Sequence, residues 1–435
     1  MNLKSQLEAS LSPSQLRLIH LIADSAAQSG FPLYIIGGSV RDLILGSAIQ
    51  DLDLTVEGDA IALARALAKR HGGRVTAHSK FGTAKWFLPK DLQTESSDTL
   101  DLISARSETY KHPAALPTVM PGSMDDDIRR RDFTINTLAI RLDGAHFGEL
   151  RDDLGGMDDL KQGIVRVLHA KSFIDDPTRM YRAVRYAERY GFTIVEETLA
   201  LIPPARPLIE KLSAQRIRHE LDLILEEWNA AAMLARLAEL NLLQPIHPAL
   251  TFDESMRQRL TNLHTYRSLQ HLSPWNITKG EQMRASDLGW LLWLMSLSQE
   301  QVSALNDRLH FTADLLAALF AASKMYAVQL SFVGLKPSQC VERLEAYPLA
   351  AVEAVGYAAK DPRVKECFDE YISKWRYIKP HINGDDLKAL GVEPGPRYAI
   401  LLRRLRNAWL DGEVKTKEEE KALLQTLLNS SSASP

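Results

Sequence analysis

Hydrophobic and polar positions along the chain follow two different periods. Up to about residue 170, short apolar runs such as Leu33–Ile36 and Thr99–Ile103 alternate with helical segments such as Ala60–His71. From Asp175 onward, the helical period dominates to the end of the chain. The pattern therefore predicts an α+β protein, in which an N-terminal head with a small mixed β-sheet is followed by helices only.

Other elements of the head follow from local signals. A helix is predicted over 12–29, with Ser12 or Ser14 as its cap and Gly30 as its end. The segment Thr109–Asp127 contains three prolines and little periodicity, which predicts a mobile loop. The remaining strand predictions are Arg74–Ala77 and Ala84–Leu88, and the segments Phe133–Arg141 and Gly163–Leu168 close this first region.

One stretch of the head combines a glycine turn with two acids. Gly37 and Gly38 follow the first apolar strand and open a helix whose free N–H groups can hold a phosphate, with Arg41 one turn further on. Asp51 and Asp53 sit on the next strand-like run and project from the same face, which needs a cation between them. A lone Gly-Gly turn is more often structural, but the combination predicts Mg²⁺-dependent work on a nucleoside triphosphate.

Two further groups of polar residues are candidates for the same site. Asp101, on a later strand, is a third carboxylate beside the pair, a surface acid, or a neighbour of Arg106. In the run DIRRRDFTIN, Arg131 is a candidate phosphate ligand, while Asp132 and Asn136 either brace the turn or contact the sugar. The alternative is a basic loop followed by an ordinary strand or helix.

The helical part begins with a stripe of arginines. Asp176 followed by Pro177 is a common helix start. Arg179, Arg182 and Arg185 recur every three residues on roughly one face, where they repel each other unless an anion is bound. Asp176 and Arg179 together also offer a paired acceptor and donor, which matches the hydrogen-bonding edge of a nucleotide base.

Two charged pairs lie one helical turn apart in the segment 214–225. They are Arg216 with Glu220 and Arg218 with Asp222. We interpret them as surface pairs, because the segment has a separate apolar face that suits a core. That predicted core face consists of Ile217, Leu221 and Ile224.

Composition and charge set limits on function. A 435-residue chain with 45% apolar and 25% charged residues is typical of a globular protein of two or more domains. Its two cysteines exclude a disulfide framework, and we expect no signal peptide, no membrane span and a cytoplasmic location. With a net charge of −3, RNA binding would depend on local basic patches. One such patch contains Arg397, Arg403, Arg404 and Arg406.

Four motifs occur in the order found in a known family. GGSVRD with DLD, RRRDFTINTLA, DDLGGMDDLKQGIVR and DDPTRMYRAVRYAERYGF resemble motifs of the class II CCA-adding enzymes. These are bacterial-type tRNA nucleotidyltransferases, and the bacterial poly(A) polymerases are their relatives. The resemblance covers residues 30–225, and PHINGDDLKALGVEPGPR resembles the family's tail. This chain departs from the family at Asp175, where Glu is usual, and at Thr137, where Ala is usual.

The resemblance implies a chain of four parts. These are a catalytic nucleotidyltransferase head (1–170), a helical neck that selects the nucleotide (171–230), a helical body (231–375) and a helical tail that binds tRNA (376–435). It also implies template-independent addition of C and/or A to the 3′ end of tRNA, by two-metal in-line transfer with Mg²⁺. The expected partners are tRNA, CTP and ATP, with no membrane and no obligate protein partner.

The same resemblance implies roles at matching positions. Asp51 and Asp53 would bind Mg²⁺, and Gly38 and Arg41 would contact the phosphates of the nucleotide. Arg131 would contact the nucleotide near the junction of head and neck. The neck would supply the base-selecting pair and the residues that complete the site, namely Asp176, Arg179, Arg182 and Arg185.

Four products remain open from the sequence: CCA, CC only, A only, or poly(A). The full-length segment Arg106–Pro121 favours A addition, because CC-only relatives tend to lack an element there. The absence of a long basic C-terminal extension argues against a poly(A) polymerase. A catalytically inactive RNA-binding relative is the alternative from a different class, and the intact site residues argue against it.

Overall fold

The computed structural model describes residues 1–47, 49, 52–261, 263 and 283–430. Asp51, one of the two predicted metal ligands, lies outside these described residues. The chain divides into two compact units: Met1–Arg216 with Glu239–Ile246, and Ile217–Ala238 with His247–Pro435. The predicted α+β class is confirmed, because the described strands all lie in the first unit. The finer division into four parts remains a prediction.

Seven strands of the first unit form one mixed sheet, and two further pairs form separate ribbons. The strands are β1 Leu33–Ile36, β2 Asp53–Val56, β3 Arg74–His78, β4 Thr83–Phe87, β5 Thr99–Ser104, β6 Arg106–Thr109, β7 Thr118–Pro121, β8 Ala139–Arg141, β9 Leu150–Arg151, β10 Ile164–Val165 and β11 Thr193–Ile194. The order across the sheet is β3-β4-β5-β2-β1-β8-β9. β2 and β5 run parallel, whereas the other neighbours in this sheet are antiparallel.

The register of the sheet places three charged residues in one row. Asp53, the first residue of β2, pairs with Asp101 on β5, and Asp101 pairs with Lys85 on β4. Residues in register on neighbouring strands project from the same face of a sheet. On β4 and β5 the opposite face is buried and mostly apolar, and it consists of Ala84, Trp86, Leu100, Leu102 and Ser104.

Two predicted helices of the first unit are confirmed, the first together with its predicted cap. Helix Pro13–Gln28 starts at Ser12, whose side chain accepts the Gln15 N–H in a capping box. Helix Ala60–His71 starts at Asp59, whose carboxylate accepts two backbone N–H groups. The other α-helices that lie wholly in this unit are Lys4–Ser10, Gly38–Ile44, Met124–Arg129, Gly156–Gln162, Ser172–Asp175, Thr178–Tyr190, Glu196–Leu199 and Ile202–Ala205.

The two segments that close the head are strands over only part of their length. Of Phe133–Arg141, only Ala139–Arg141 is a strand, because Thr134–Asn136 forms a 3₁₀ turn instead. Of Gly163–Leu168, only Ile164–Val165 is a strand. In the first segment, the turn places polar side chains at the candidate site. Apolar periodicity does not reveal such a functional requirement.

The predicted mobile loop at Thr109–Asp127 is largely folded. β6 and β7 form an antiparallel ribbon, and helix Met124–Arg129 follows, with Ser123 as its cap. Residues 106–121 are named the arm below. The ribbon pairs residues that are up to 15 positions apart, such as Arg106 with Pro121, so periodicity along the chain gives no sign of it.

The described part of the second unit is built from α-helices joined by turns and short 3₁₀ segments. Its core includes Trp290 and Trp293, whose rings stack with centroids 5.4 Å apart. Near the C-terminus, fully buried Glu420 accepts the backbone N–H groups of His381 and Ile382. The helices are Ala214–Leu225, which begins in the first unit, Ala230–Glu239, Glu254–Thr261, Ala285–Leu294, Gln299–Leu309, Ala313–Val328, Pro337–Leu344, Leu349–Ala358, Pro362–Ser373, Gly384–Ala389, Pro396–Leu410 and Lys417–Ser430.

One described stretch, Ala313–Phe332, is long and apolar enough to cross a membrane by length and composition alone. In the structure, 44% of the apolar window is buried within the protein. Its helix packs against Ala285–Leu294 and Leu349–Ala358, as a core helix does, so this stretch is weak evidence for a membrane span.

Candidate nucleotide site

Arg41 is a buried cation in the candidate site, with 3% of its surface exposed. Its Nη1 donates to Asn136 Oδ1 over 2.6 Å, and its Nε donates to Asp42 Oδ1 over 2.8 Å. The guanidinium also lies over the ring of Tyr190, 4.7 Å from the centroid. Burial lowers the pKa of Arg41, but the hydrogen bond to Asp42 and nearby negative charge raise it overall. Arg41 is therefore held rigidly beside the Gly-Gly turn.

Asp132 links this cation to the helix Thr178–Tyr190. Its Oδ1 accepts from the side-chain amide of Asn136 over 2.9 Å, and its Oδ2 accepts from Arg182 Nε over 2.7 Å. Burial raises the pKa of Asp132, but the charge of Arg182 and the hydrogen bond from Asn136 lower it to about 2. Because Asn136 also accepts from Arg41, one chain of hydrogen bonds runs from Arg41 to Arg182. These contacts are those of a brace, one of the two roles that the sequence predicts.

Gly37 is needed at its position for two reasons. Its φ is +85°, which favours glycine, and a Cβ there would clash with Nη1 of Arg131. Arg131 Nη2 donates to Asp127 Oδ2 over 3.0 Å, and fully buried Asp127 also accepts from Arg130 over 2.7 Å. Burial lowers the pKa of Arg131, and the charge of Asp127 opposes this. Asp127 is a site residue missed at the sequence level, although its spacing of three and four residues from the two arginines is a helix-pair signal.

Asp176 and Arg179 lie at the start of the arginine-bearing helix. Asp176 Oδ1 accepts the backbone N–H of Thr178 over 2.9 Å and its hydroxyl over 2.6 Å, so the predicted capping role is confirmed. Arg179 is buried and donates to Ser172 Oγ and to the carbonyl of Arg130, each over 2.8 Å. These bonds use two of the five N–H groups of Arg179, so three donors remain for a ligand. Base selection by this pair stays a prediction.

Two arginines of the stripe, Arg182 and Arg185, have partners within the protein itself. Arg182 forms an ion pair with Asp132. The guanidinium groups of Arg182 and Arg185 lie 5.5 Å and 5.2 Å from the ring centroid of Tyr186. Asp132 is thus one anion beside the stripe, and a bound nucleotide as a further anion stays a prediction. The opposite side of this helix includes the buried residues Tyr181, Val184 and Ala187.

Asp53 and Asp101 line a polar pocket of about 290 Å³. Asp101 Oδ2 is 3.0 Å from Lys85 Nζ. Among the described residues, the cation that pairs with Asp101 is therefore Lys85 and not Arg106. Among the described residues, no group of three or more His, Cys, Asp or Glu side chains is arranged to hold a metal ion. Two carboxylates on neighbouring strands are suitable oxygen ligands for a hard divalent cation, and they fit one if a further ligand joins them.

The C-terminal arginine patch lies on helix Pro396–Leu410 and divides into two kinds of residue. Arg404 and Arg406 each form an ion pair with a glutamate 2.7 Å away. Arg397 and Arg403 are exposed. Of the four predicted RNA contacts, the two exposed arginines are therefore better placed to meet a phosphate.

The interpretation of Arg216 as a surface partner of Glu220 is wrong. Its Nη2 donates to Asp176 Oδ1 over 2.6 Å, and its Nη1 donates to the carbonyl of Ala114 in the arm over 3.1 Å. These partners are 40 and 102 positions away along the chain. No local sequence signal identifies Arg216 as a site residue, because both contacts depend on the tertiary fold.

The head fold, together with the site that it carries, is that of a nucleotidyltransferase. Residues 33–166 match the family model of the poly A polymerase head domain. Residues 191–253 match the model described as the probable RNA- and SrmB-binding site of polymerase A. The chain belongs to the family that contains the tRNA nucleotidyltransferases and the poly(A) polymerases.

Three known proteins illustrate this membership. An A-adding tRNA nucleotidyltransferase of Geobacter sulfurreducens is 36% identical over 92% of this chain and 45% of its own length. An A-adding tRNA nucleotidyltransferase of Halalkalibacterium halodurans is 31% identical over 96% of this chain and 94% of its own length. A solved apo structure of a CCA-adding enzyme has a TM-score of 0.82 and 29% identity, and the match covers 99% of both chains. This chain thus spans less than half of the first relative and nearly all of the second.

Proposed function

We propose that this chain transfers C and/or A nucleotides from CTP and ATP to the 3′ end of tRNA. The observation that carries the proposal is the chain of hydrogen bonds from Arg41 through Asn136 and Asp132 to Arg182. It ties the glycine turn of the head to the arginine-bearing helix, so that groups for the phosphates and groups for the base belong to one site. The names of the two relatives support tRNA as the acceptor.

The metal in this proposal is Mg²⁺. Asp51 and Asp53 would hold it, and the bound ion would supply charge neutralisation for the triphosphate and the attacking hydroxyl. Asp101 lies next to Asp53 across the sheet, where it forms an ion pair with Lys85, and it would be a further ligand only if it left that ion pair. The glycine turn would present its N–H groups to the phosphates, while buried Arg41 keeps the turn in position.

The chemistry of Asp176 and Arg179 suits C and A and disfavours G and U. C and A each carry an exocyclic amino group, which a carboxylate oxygen accepts, next to a ring nitrogen that accepts from an arginine. G and U present a carbonyl and a ring N–H at those positions, so both contacts would be reversed. A protein side-chain pair would then select the nucleotide without a template strand.

Primer extension with defined ends tests this proposal. Purified protein is mixed with Mg²⁺, one labelled nucleotide, and a tRNA transcript that ends before CCA, after the first C, or after CC. We expect A to be added to the transcript that ends in CC, because the two relatives described above, each matched over more than nine-tenths of this chain, are A-adding enzymes. C added to the shorter transcripts would indicate complete CCA synthesis, and a long A tail would indicate a poly(A) polymerase. No incorporation from either nucleotide on any transcript would refute the proposal and favour an inactive RNA-binding relative.

Removing the two exposed arginines of helix Pro396–Leu410 is expected to weaken tRNA binding. In the double variant Arg397→Gln with Arg403→Gln, we expect affinity to fall roughly 3- to 10-fold and the salt slope to decrease by about 1–2, because two phosphate contacts are lost. Filter binding at several salt concentrations measures both quantities. Arg404→Gln is the matched control, because its charge already pairs with Glu413. Equal tRNA affinity and salt slope in the double variant and the wild type would contradict the assignment.

A further inference from the structure

The carboxylate of Asp176 is held from one side only. Its Oδ1 accepts three hydrogen bonds: the N–H of Thr178, the hydroxyl of Thr178, and Nη2 of Arg216. Within the described part of the chain, the hydrogen bonds of this side chain all end on Oδ1. The carboxylate is therefore fixed in orientation, while Oδ2 stays available to accept from the amino group of a base.

The other end of Arg216 reaches the arm. Its Nη1 donates to the carbonyl of Ala114, and the N–H of Ala114 donates to the carbonyl of Ile174 over 3.1 Å. Ala114 has a φ of +63°, which is uncommon for a residue with a Cβ and persists only where the surroundings impose it. The hydrogen bonds of the Ala114 N–H and of the Ala114 carbonyl supply that constraint. The arm is thus fixed against the start of the arginine-bearing helix.

A second contact between the arm and the base-selecting pair runs through Glu108. Its Oε1 accepts from Arg130 over 3.0 Å, and the carbonyl of Arg130 accepts from Arg179. The hydroxyl of Tyr110 donates to the other oxygen of Glu108 over 3.3 Å. Burial raises the pKa of Tyr110 to about 12. The charge of Arg179 lowers this pKa, and the charges of Glu108 and Asp176 raise it. Both members of the pair are therefore connected to the arm, each through a different arginine.

We propose that Arg216 is a positioning residue for nucleotide selection, which orients Asp176 while its other end is fixed by the arm. The inference rests on the proposed function, because it assumes that Asp176 selects the base. A planar guanidinium can donate to a carboxylate and to a carbonyl in fixed relative directions, which a lysine ammonium on a flexible stem cannot do.

Substitution of Arg216 separates this role from a merely structural one. For Arg216→Met, we expect KM for the correct nucleotide to rise about 10-fold and discrimination against GTP and UTP to fall at least about 10-fold, because a misaligned bidentate contact loses selectivity of that order. We expect kcat at saturating correct nucleotide to change less than about 3-fold. Arg216→Lys keeps the charge, so KM should recover, whereas discrimination should not. The measurements are kcat and KM for single-nucleotide addition of each of the four triphosphates.

A matched control and the opposing outcomes complete the test. Arg218→Met removes a cation from the same helix, where Arg218 donates to the carbonyl of His310, and it should leave all four selectivities unchanged. If Arg216→Met does not fold, Arg216→Lys decides the question. Lysine retains the charge but lacks the planar guanidinium that donates in two fixed directions. Unchanged discrimination in Arg216→Lys, or an equal loss of rate for all four nucleotides, would overturn the inference. Failure of the wild type to incorporate any nucleotide would instead overturn the proposed function.

Discussion

Replacing Asp53 with Asn is expected to reduce nucleotide transfer by on the order of 10³-fold, which corresponds to about 4 kcal/mol of activation free energy. Asp53 opens β2 and lies in the polar pocket beside Asp101. The amide keeps the shape of the side chain but removes the negative charge that would hold a divalent cation next to the reacting phosphate. The measurement is the single-turnover rate of addition at saturating nucleotide and tRNA.

Two further variants serve as controls for Asp53→Asn. Asp91→Asn removes an exposed acid of the same unit and should leave the rate within about 2-fold of the wild type. Asp101→Asn should cost less than Asp53→Asn, because Lys85 already neutralises Asp101. tRNA affinity should be unchanged in all three variants. A rate for Asp53→Asn within 10-fold of the wild type would rule out Asp53 as a metal ligand.

The parts of the fold that follow from local chemistry could be predicted from the sequence. The cap at Ser12 and the helix Ala60–His71 depend on side chains within a few residues of the backbone groups that they satisfy. The strand β1 is a short apolar run, and it is buried along its whole length. In each case the deciding interaction spans only a few residues, so the amino-acid pattern contains it.

The parts that depend on distant pairing could not be predicted. Arg216 looks like a surface residue in its helix, because its partners Asp176 and Ala114 come from separate segments. The arm looks unstructured, because its strands gain their hydrogen bonds only by pairing with each other. Asp132 and Asn136 were identified as site residues from their position, but the sequence left open whether they brace or bind. Their partners Arg41 and Arg182, which lie far away along the chain, indicate the first of these roles.

The brace itself gives the last prediction, which concerns stability. Asp132 is 7% exposed and its pKa is lowered to about 2, mainly by Arg182 and Asn136 working against burial. Compared with an unfolded value near 3.8, this shift corresponds to roughly 2–3 kcal/mol of folding free energy. Asp132→Asn should therefore lower the free energy of unfolding at pH 7 by about that amount, because Arg182 loses its buried counter-charge.

The pH dependence of this difference identifies its cause. The pKa of Asp132 is lower in the folded state, so the stabilisation is complete above about pH 4 and is lost as the pH falls from about 4 toward 2. Urea unfolding of the wild type and Asp132→Asn should thus give equal differences at pH 7 and pH 5, and a smaller difference at pH 3. Asp158→Asn, an exposed acid in a neighbouring helix, should change stability by less than about 0.5 kcal/mol at any of these pH values. A difference for Asp132→Asn that stays constant from pH 7 to pH 3 would mean that packing, rather than the charge of Asp132, holds the glycine turn to the arginine-bearing helix.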